Sequence, residues 1–327
     1  MNPVIVLVID MSVKNIFKRV LLFPIDLLEK RVKRTNWYRN NIPNVDNYPG
    51  DKWYREHLDR NYDIVNLGSS SAVFCFNYEG LGVRAFNWAL KPQSMEYSFK
   101  ILKQYYSILR MNGIVLIPFC PFSGLSVTGK WSEITNDKYY HILDQTLIDN
   151  YEDVEKRRQH PFLAMPVTSI KRLIKDVPVN DMYSHNVQCN TTDEFIHSAK
   201  QWIDLWMKQF NITDLNQPLS KENLIGRKSR LVIVKDILCF CHERDLKPVI
   251  VLPPAHHSLN YYFTPTFVKN YITSFIEELN APSVRVLDYL NHPSFTKDEL
   301  FQDAYYMNNQ GARIFTKQVL TDLNLIN

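Results

Sequence analysis

The stretch Tyr62-Asp-Ile-Val-Asn-Leu-Gly-Ser-Ser-Ser71 decides the fold: a short apolar run stops at a glycine, and three hydroxyl side chains follow. Runs such as Ile64-Val65-Asn66-Leu67 have the composition of a strand buried on both faces, and the glycine marks a sharp exit from the sheet. In open α/β sheets, ligands sit outside the carboxyl ends of the strands. Ser69, Ser70 and Ser71 therefore stand where such sheets do their chemistry. A serine hydroxyl is a weak nucleophile that needs a base to take its proton and N–H donors to hold the developing oxyanion. The same residues also read as an ordinary strand-to-helix turn in which a serine caps the helix.

Outward from this strand, short apolar runs alternate with longer helical patterns. The alternation predicts a three-layer α/β/α fold, a doubly wound (flavodoxin-like) parallel sheet of about five strands. The runs fall at about 63–67, 83–86, 113–118, 248–252 and 284–288. Met95, Phe99, Leu102, Tyr106 and Leu109 recur at helical spacing, and further helices are expected near 221–244, 264–279 and 309–323. Residues 124–220 are too many for a structureless loop and predict an inserted, largely helical cap. Its rings, among them Trp131, Tyr139, Tyr140, Tyr151, Trp202 and Trp206, suit stacking on sugar faces and equally suit a core for the cap.

A second signal lies at the far end of the chain, in Leu300-Phe-Gln-Asp-Ala-Tyr-Tyr-Met-Asn-Asn-Gln-Gly-Ala-Arg-Ile-Phe-Thr316. Beside the serine strand, this block resembles the last block of SGNH/GDSL-type hydrolases, where Asp-x-x-His precedes Leu-Asn-x-x-Gly-Ala and a terminal helix. Asn87-Trp-Ala-Leu-Lys-Pro-Gln-Ser-Met-Glu-Tyr97, Gly113-Ile-Val-Leu-Ile-Pro-Phe-Cys-Pro-Phe-Ser123 and Lys247-Pro-Val-Ile-Val-Leu-Pro-Pro254 add to the likeness. From about Tyr62 to the C-terminus the chain is similar to SGNH-like proteins of bacterial surface-polysaccharide loci, relatives of the teichoic-acid D-alanylation and alginate O-acetylation proteins.

The resemblance implies Ser70 as nucleophile, Ala89 as an oxyanion-hole N–H donor, Asn87 as the residue that orients its loop, and Asp303 as the acid that aligns a catalytic histidine. Ser69, Tyr306 and Asn308 complete the candidate substrate-binding set. Two positions depart from the family pattern. Tyr306 stands where the histidine belongs, and Pro118-Phe-Cys-Pro-Phe122 follows the third strand where an asparagine is expected. A neutral imidazole titrates near pH ~6.5 and exchanges a serine proton readily, whereas a phenol titrates near ~10 and is a donor at neutral pH. His256 and His257 follow another strand whose carboxyl end faces the same edge, so either is a candidate base, and both also read as surface-loop histidines. The resemblance thus implies a serine esterase or O-acyltransferase acting on an acylated glycan or cell-envelope polysaccharide, or a catalytically degenerate glycan-binding or scaffold protein using the same cleft.

Composition agrees with a packed α/β protein. Of 327 residues, 45% are hydrophobic and 22% charged, and the net charge of +4 is too small and dispersed to argue for nucleic acid. Neither a Walker loop nor a GxGxxG motif occurs, so no cofactor is expected. Cys75, Cys120, Cys189, Cys239 and Cys241 lack framework spacing and read as buried free thiols, with no metal site expected. Residues 1–34 form a basic, amphipathic N-terminal segment. Within it, residues 14–34 mix bulky apolar side chains with Lys14, Lys18, Arg19, Lys30, Arg31, Lys33 and Arg34, which suits an anionic membrane surface or a helix docked on the body. The early run Val4-Ile-Val-Leu-Val-Ile9 meets Asp10, lacks a cleavage site and is too short to span a bilayer, so a cytoplasmic or membrane-associated location is expected. Residues 35–61 read as a linker and 62–327 as the α/β domain.

Overall fold

The computed structural model describes residues 24–41, 61–125, 133–176, 188–295 and 297–326. Two compact units are present, Met1–Glu56 with Trp131–Asn180 and His57–Lys130 with Asp181–Asn327.

The second unit carries the expected fold. Five parallel strands, β1 (Tyr62–Asn66), β2 (Ala85–Asn87), β3 (Leu109–Pro118), β4 (Lys247–Leu252) and β5 (Arg285–Asp288), lie in the order β2-β1-β3-β4-β5. Their registers pair Val65 with Phe86 and Val115, Leu116 with Val249, and Val251 with Leu287. β-branched and leucine side chains at these positions are buried on both faces, as helices on both sides of a parallel sheet require. Helices Met95–Tyr105, Lys221–His242 and Asn309–Asp322 supply covering layers, with Ser94, Ser220 and Asn308 accepting backbone N–H bonds at their N-termini. The helix expected near 264–279 is interrupted: a π segment, Val268–Thr273, separates Pro265–Phe267 from Ser274–Glu278.

Two glycines are dictated by space. Gly68 leaves β1 at φ 125°, and a Cβ there would lie 2.6 Å from Ala72 Cβ. Gly311, in the first turn of the last helix, faces the Leu300 carbonyl so closely that a Cβ would stand 2.0 Å from its oxygen. The Gly-Ala step of the C-terminal block is therefore a packing requirement between helix and loop.

The first unit is helical: residues 24–32, Asn36–Asn41, Tyr151–Gln159, Pro161–Ala164 and Pro166–Ile174. Glu29 caps Phe162 and Leu163, Asp176 caps Asn36 and Trp37, and the Tyr38 hydroxyl donates to Arg158 O. The fully buried Asp137 carboxylate is held by the Arg157 fork at 2.9–3.2 Å, while burial pushes its carboxyl up to about 6. The 124–220 stretch, read from the sequence as one cap, is thus divided. Its earlier part shares a unit with the N-terminal segment because its caps and hydrogen bonds run to residues 29–38. Helix Thr192–Gln209 instead packs in the sheet unit, through Phe195 against His256 and Trp202 against Tyr306. Residues 36–41 of the expected linker are helical, and 42–60, like 14–23 of the basic segment, lie outside the described residues. Within 24–34, Glu29 and Val32 are buried and Leu27 is exposed. Among the described residues no helix is long and apolar enough to cross a membrane.

Cys75, Cys189 and Cys241 are buried free thiols; Cys120 is half-buried, and Cys239 is exposed because two steps along a helix turn it away from Cys241.

Candidate functional site

The strand order reverses between β1 and β3, so the crevice outside their carboxyl ends is the topological switch point where such sheets take ligands. The serines follow β1, and Cys120 follows β3. The Tyr305 phenol neighbours the Ser71 hydroxyl and the Cys120 thiol, and thereby brings together groups that follow two different strands. Burial holds this phenol well above its ordinary range, so it remains protonated at neutral pH. Ser123 adds a hydroxyl donated to Cys120 Sγ at 3.2 Å.

Asp303 builds the loop that presents Tyr305. Its Oδ1 accepts the Tyr305 and Tyr306 amides at 2.8 and 2.6 Å, and an antiparallel bridge between Phe301 and Met307 closes the turn. Tyr306 is buried against Phe74, with ring centroids 4.5 Å apart, and the Tyr305 ring lies 5.0 and 4.8 Å from Trp202 and Trp206. Both tryptophans are buried, so they serve the packing of the Thr192–Gln209 helix and offer no open stacking platform. The serine helix and the Asp303–Tyr306 turn, far apart in the chain, therefore meet at one edge.

The serines have distinct surroundings. Ser69 accepts the Gln93 amide at 3.0 Å and ties down the loop after β2. Ser70 is buried at the start of helix Ser70–Cys75, and Ser71 reaches Tyr305. Asn87 is the hub of a polar network: its Nδ2 donates to Ala72 O and Phe76 O, and its Oδ1 accepts from Asn66 Nδ2 at 2.7 Å and from Ala89 N at 3.0 Å. Asn87 thus orients the 87–89 loop, and the Ala89 N–H is directed at that side chain. Tyr78 donates to Asn66 Oδ1. Asn308 spends its side chain on the last helix, with Oδ1 accepting Gly311 N and Nδ2 donating to Glu299 O and Phe301 O.

His256 is fully buried and stacks on Phe195 at 4.0 Å. Its Nδ1 accepts the Ser258 amide at 3.2 Å, and its Nε2 lies 3.0 Å from Asp298 Oδ1. This pattern assigns the proton to Nε2. Burial lowers its pKa, against the opposing bond to Asp298. His257, half-exposed, has Nδ1 3.7 Å from the same carboxylate. His256, His257 and Asp298 bring three potential ligand atoms within 4.8 Å of one another. A cation would need the Nε2 lone pair, which moves the proton to Nδ1 against the Ser258 N–H, so the donor set as arranged does not fit a metal.

Sequence reasoning passed over Tyr305 and Cys120 as site residues. The signal for Cys120 was its place directly after an apolar strand; Tyr305 differs from its neighbour Tyr306 by no sequence feature. Comparison with protein-family models and with curated proteins finds no match to this chain.

Proposed function

We propose that this chain is an SGNH-like protein of bacterial cell-surface polysaccharide or teichoic-acid biosynthesis that binds an acylated glycan at the carboxyl edge of its sheet without turning it over by a serine triad. The observation that carries this reading is the Ser71–Tyr305–Cys120 cluster across the switch point. Its members exchange hydrogen bonds well, and none is a neutral-pH base comparable to imidazole. Hydroxyl and thiol groups that rotate to suit a partner match sugar hydroxyls and an ester carbonyl. The test is calorimetric titration with an O-acetylated oligosaccharide. Ser71→Ala and Tyr305→Phe should each weaken binding roughly 3- to 10-fold, the scale of one lost hydrogen bond. Unchanged affinity in both variants, or no binding by the natural protein, counts against the cleft.

One observation favours the catalytic reading. Gly68 turns so sharply that Ser70 begins a helix directly beyond the strand, the placement an acyl-transfer nucleophile needs. In that reading Tyr306→His restores a base beside Asp303, and ester hydrolysis rises about tenfold or more.

A further inference from the structure

Helix Pro166–Ile174 is inverted for a surface helix. Its buried residue is Ser169, whose hydroxyl donates to Pro161 O at 3.1 Å, while Val167, Ile170 and Ile174 are 65%, 48% and 82% exposed. Positions i, i+3 and i+7 share a helix face, so these three form one outward apolar stripe, with exposed Lys171 on the same face and exposed Lys175 at its edge.

The helix and the N-terminal segment joined to its unit carry charge of one sign. Residues 30–39 and 161–175 together contain eight basic residues and no acidic one. The two acids that flank these segments are engaged at helix N-termini: Glu29 accepts the Phe162 and Leu163 amides at 3.0 Å, and Asp176 accepts the Asn36 and Trp37 amides at 2.8 and 3.3 Å. The same bonds hold the two basic segments together within one unit. Lys30, Arg31 and Arg34 are exposed.

We propose that this face is a docking site for an anionic phospholipid surface, with the Val167–Ile174 stripe entering the acyl boundary and the lysines and arginines meeting headgroup phosphates. An interfacial helix requires an apolar face flanked by cations, and anionic headgroups supply the opposite charge. A second copy of the chain is a poorer occupant. It would bring like charges together, and three side chains are little against the roughly 800 Å² per partner of a stable protein interface. The site involves none of the groups at the sheet edge and stands apart from the glycan reading.

The test is co-sedimentation of the full chain with phosphatidylcholine vesicles, with and without phosphatidylglycerol. Binding is expected only with phosphatidylglycerol and should fall steeply with added salt. Val167→Ser, Ile170→Ser and Ile174→Ser combined should weaken it about tenfold or more, since three exposed apolar side chains are removed without touching the core. Far-UV circular dichroism checks that the triple variant is folded. Failure of the natural protein to bind phosphatidylglycerol vesicles, or equal binding by the triple variant, overturns the proposal. So does a concentration-dependent dimer of the natural protein that the triple variant abolishes, which would assign the stripe to a second copy.

Discussion

His256 Nε2 lies 3.0 Å from Asp298 Oδ1, and the opposite nitrogen of the same ring accepts the Ser258 amide at 3.2 Å. A neutral imidazole has one donor and one acceptor site, and here both are filled. To take a proton from a serine in this tautomer, His256 would have to give up the cap of helix His257–Asn260.

This arrangement makes stability depend on pH. Burial lowers the His256 pKa, so in the unfolded chain the group binds a proton more readily, near pH ~6.5, than in the folded one. Its contribution is complete above that value and is lost as pH falls through it toward the depressed folded pKa. Calorimetric Tm values of the natural protein should therefore decline from pH ~7 to ~5.5, and His256→Gln should flatten this slope while lowering Tm at pH ~8. An equal slope in the variant would show that the ring does not titrate as its burial requires.

Gly68 and Gly311 should each resist replacement. Gly68→Ala places a Cβ 2.6 Å from Ala72 Cβ at φ 125°, and Gly311→Ala drives one into the Leu300 carbonyl. Each should cost on the order of 1–3 kcal/mol in urea unfolding, the range of overpacked or strained backbone positions. A cost below about 0.5 kcal/mol, the scale of a neutral surface change, would mean the turn or the helix is not seated as described.

In the helical unit, Arg157→Ala leaves the Asp137 carboxylate buried without its fork. Removing one partner of a buried pair costs about 3–5 kcal/mol. Asp137→Asn in the Arg157→Ala background should recover part of the loss, because the remaining buried group is then uncharged. Chemical denaturation of the four chains gives the coupling; full additivity of the two substitutions would contradict the pairing.

The central strands were legible because a strand buried on both faces must be apolar; each of the five runs became a strand, within two residues at the ends except that β3 starts at Leu109, four residues before its run and where helical spacing had been read. The turn at Gly68 was legible because a glycine ending an apolar run marks a sharp exit, and its φ of 125° is one that side chains rarely adopt; the press of Gly311 on the Leu300 carbonyl was not, because that neighbour is set by the tertiary fold. The polar site was harder to read. Tyr305 gains its role from Ser71 and Cys120, which come from other strand ends, and His256 from Asp298, 42 residues away. Local pattern carries no information on such pairings. The Pro166–Ile174 stripe was hidden for another reason: its spacing is the same whether the apolar side faces a core or solvent.

The most direct test of a binding cleft without serine turnover is steady-state hydrolysis of a small aryl acetate by the natural protein beside Ser70→Ala. With His256 held by Asp298 and Ser258, the two proteins should give the same slow rate, close to that of buffer. A robust rate in the natural protein that Ser70→Ala abolishes would contradict the binding reading and establish Ser70 as a working nucleophile.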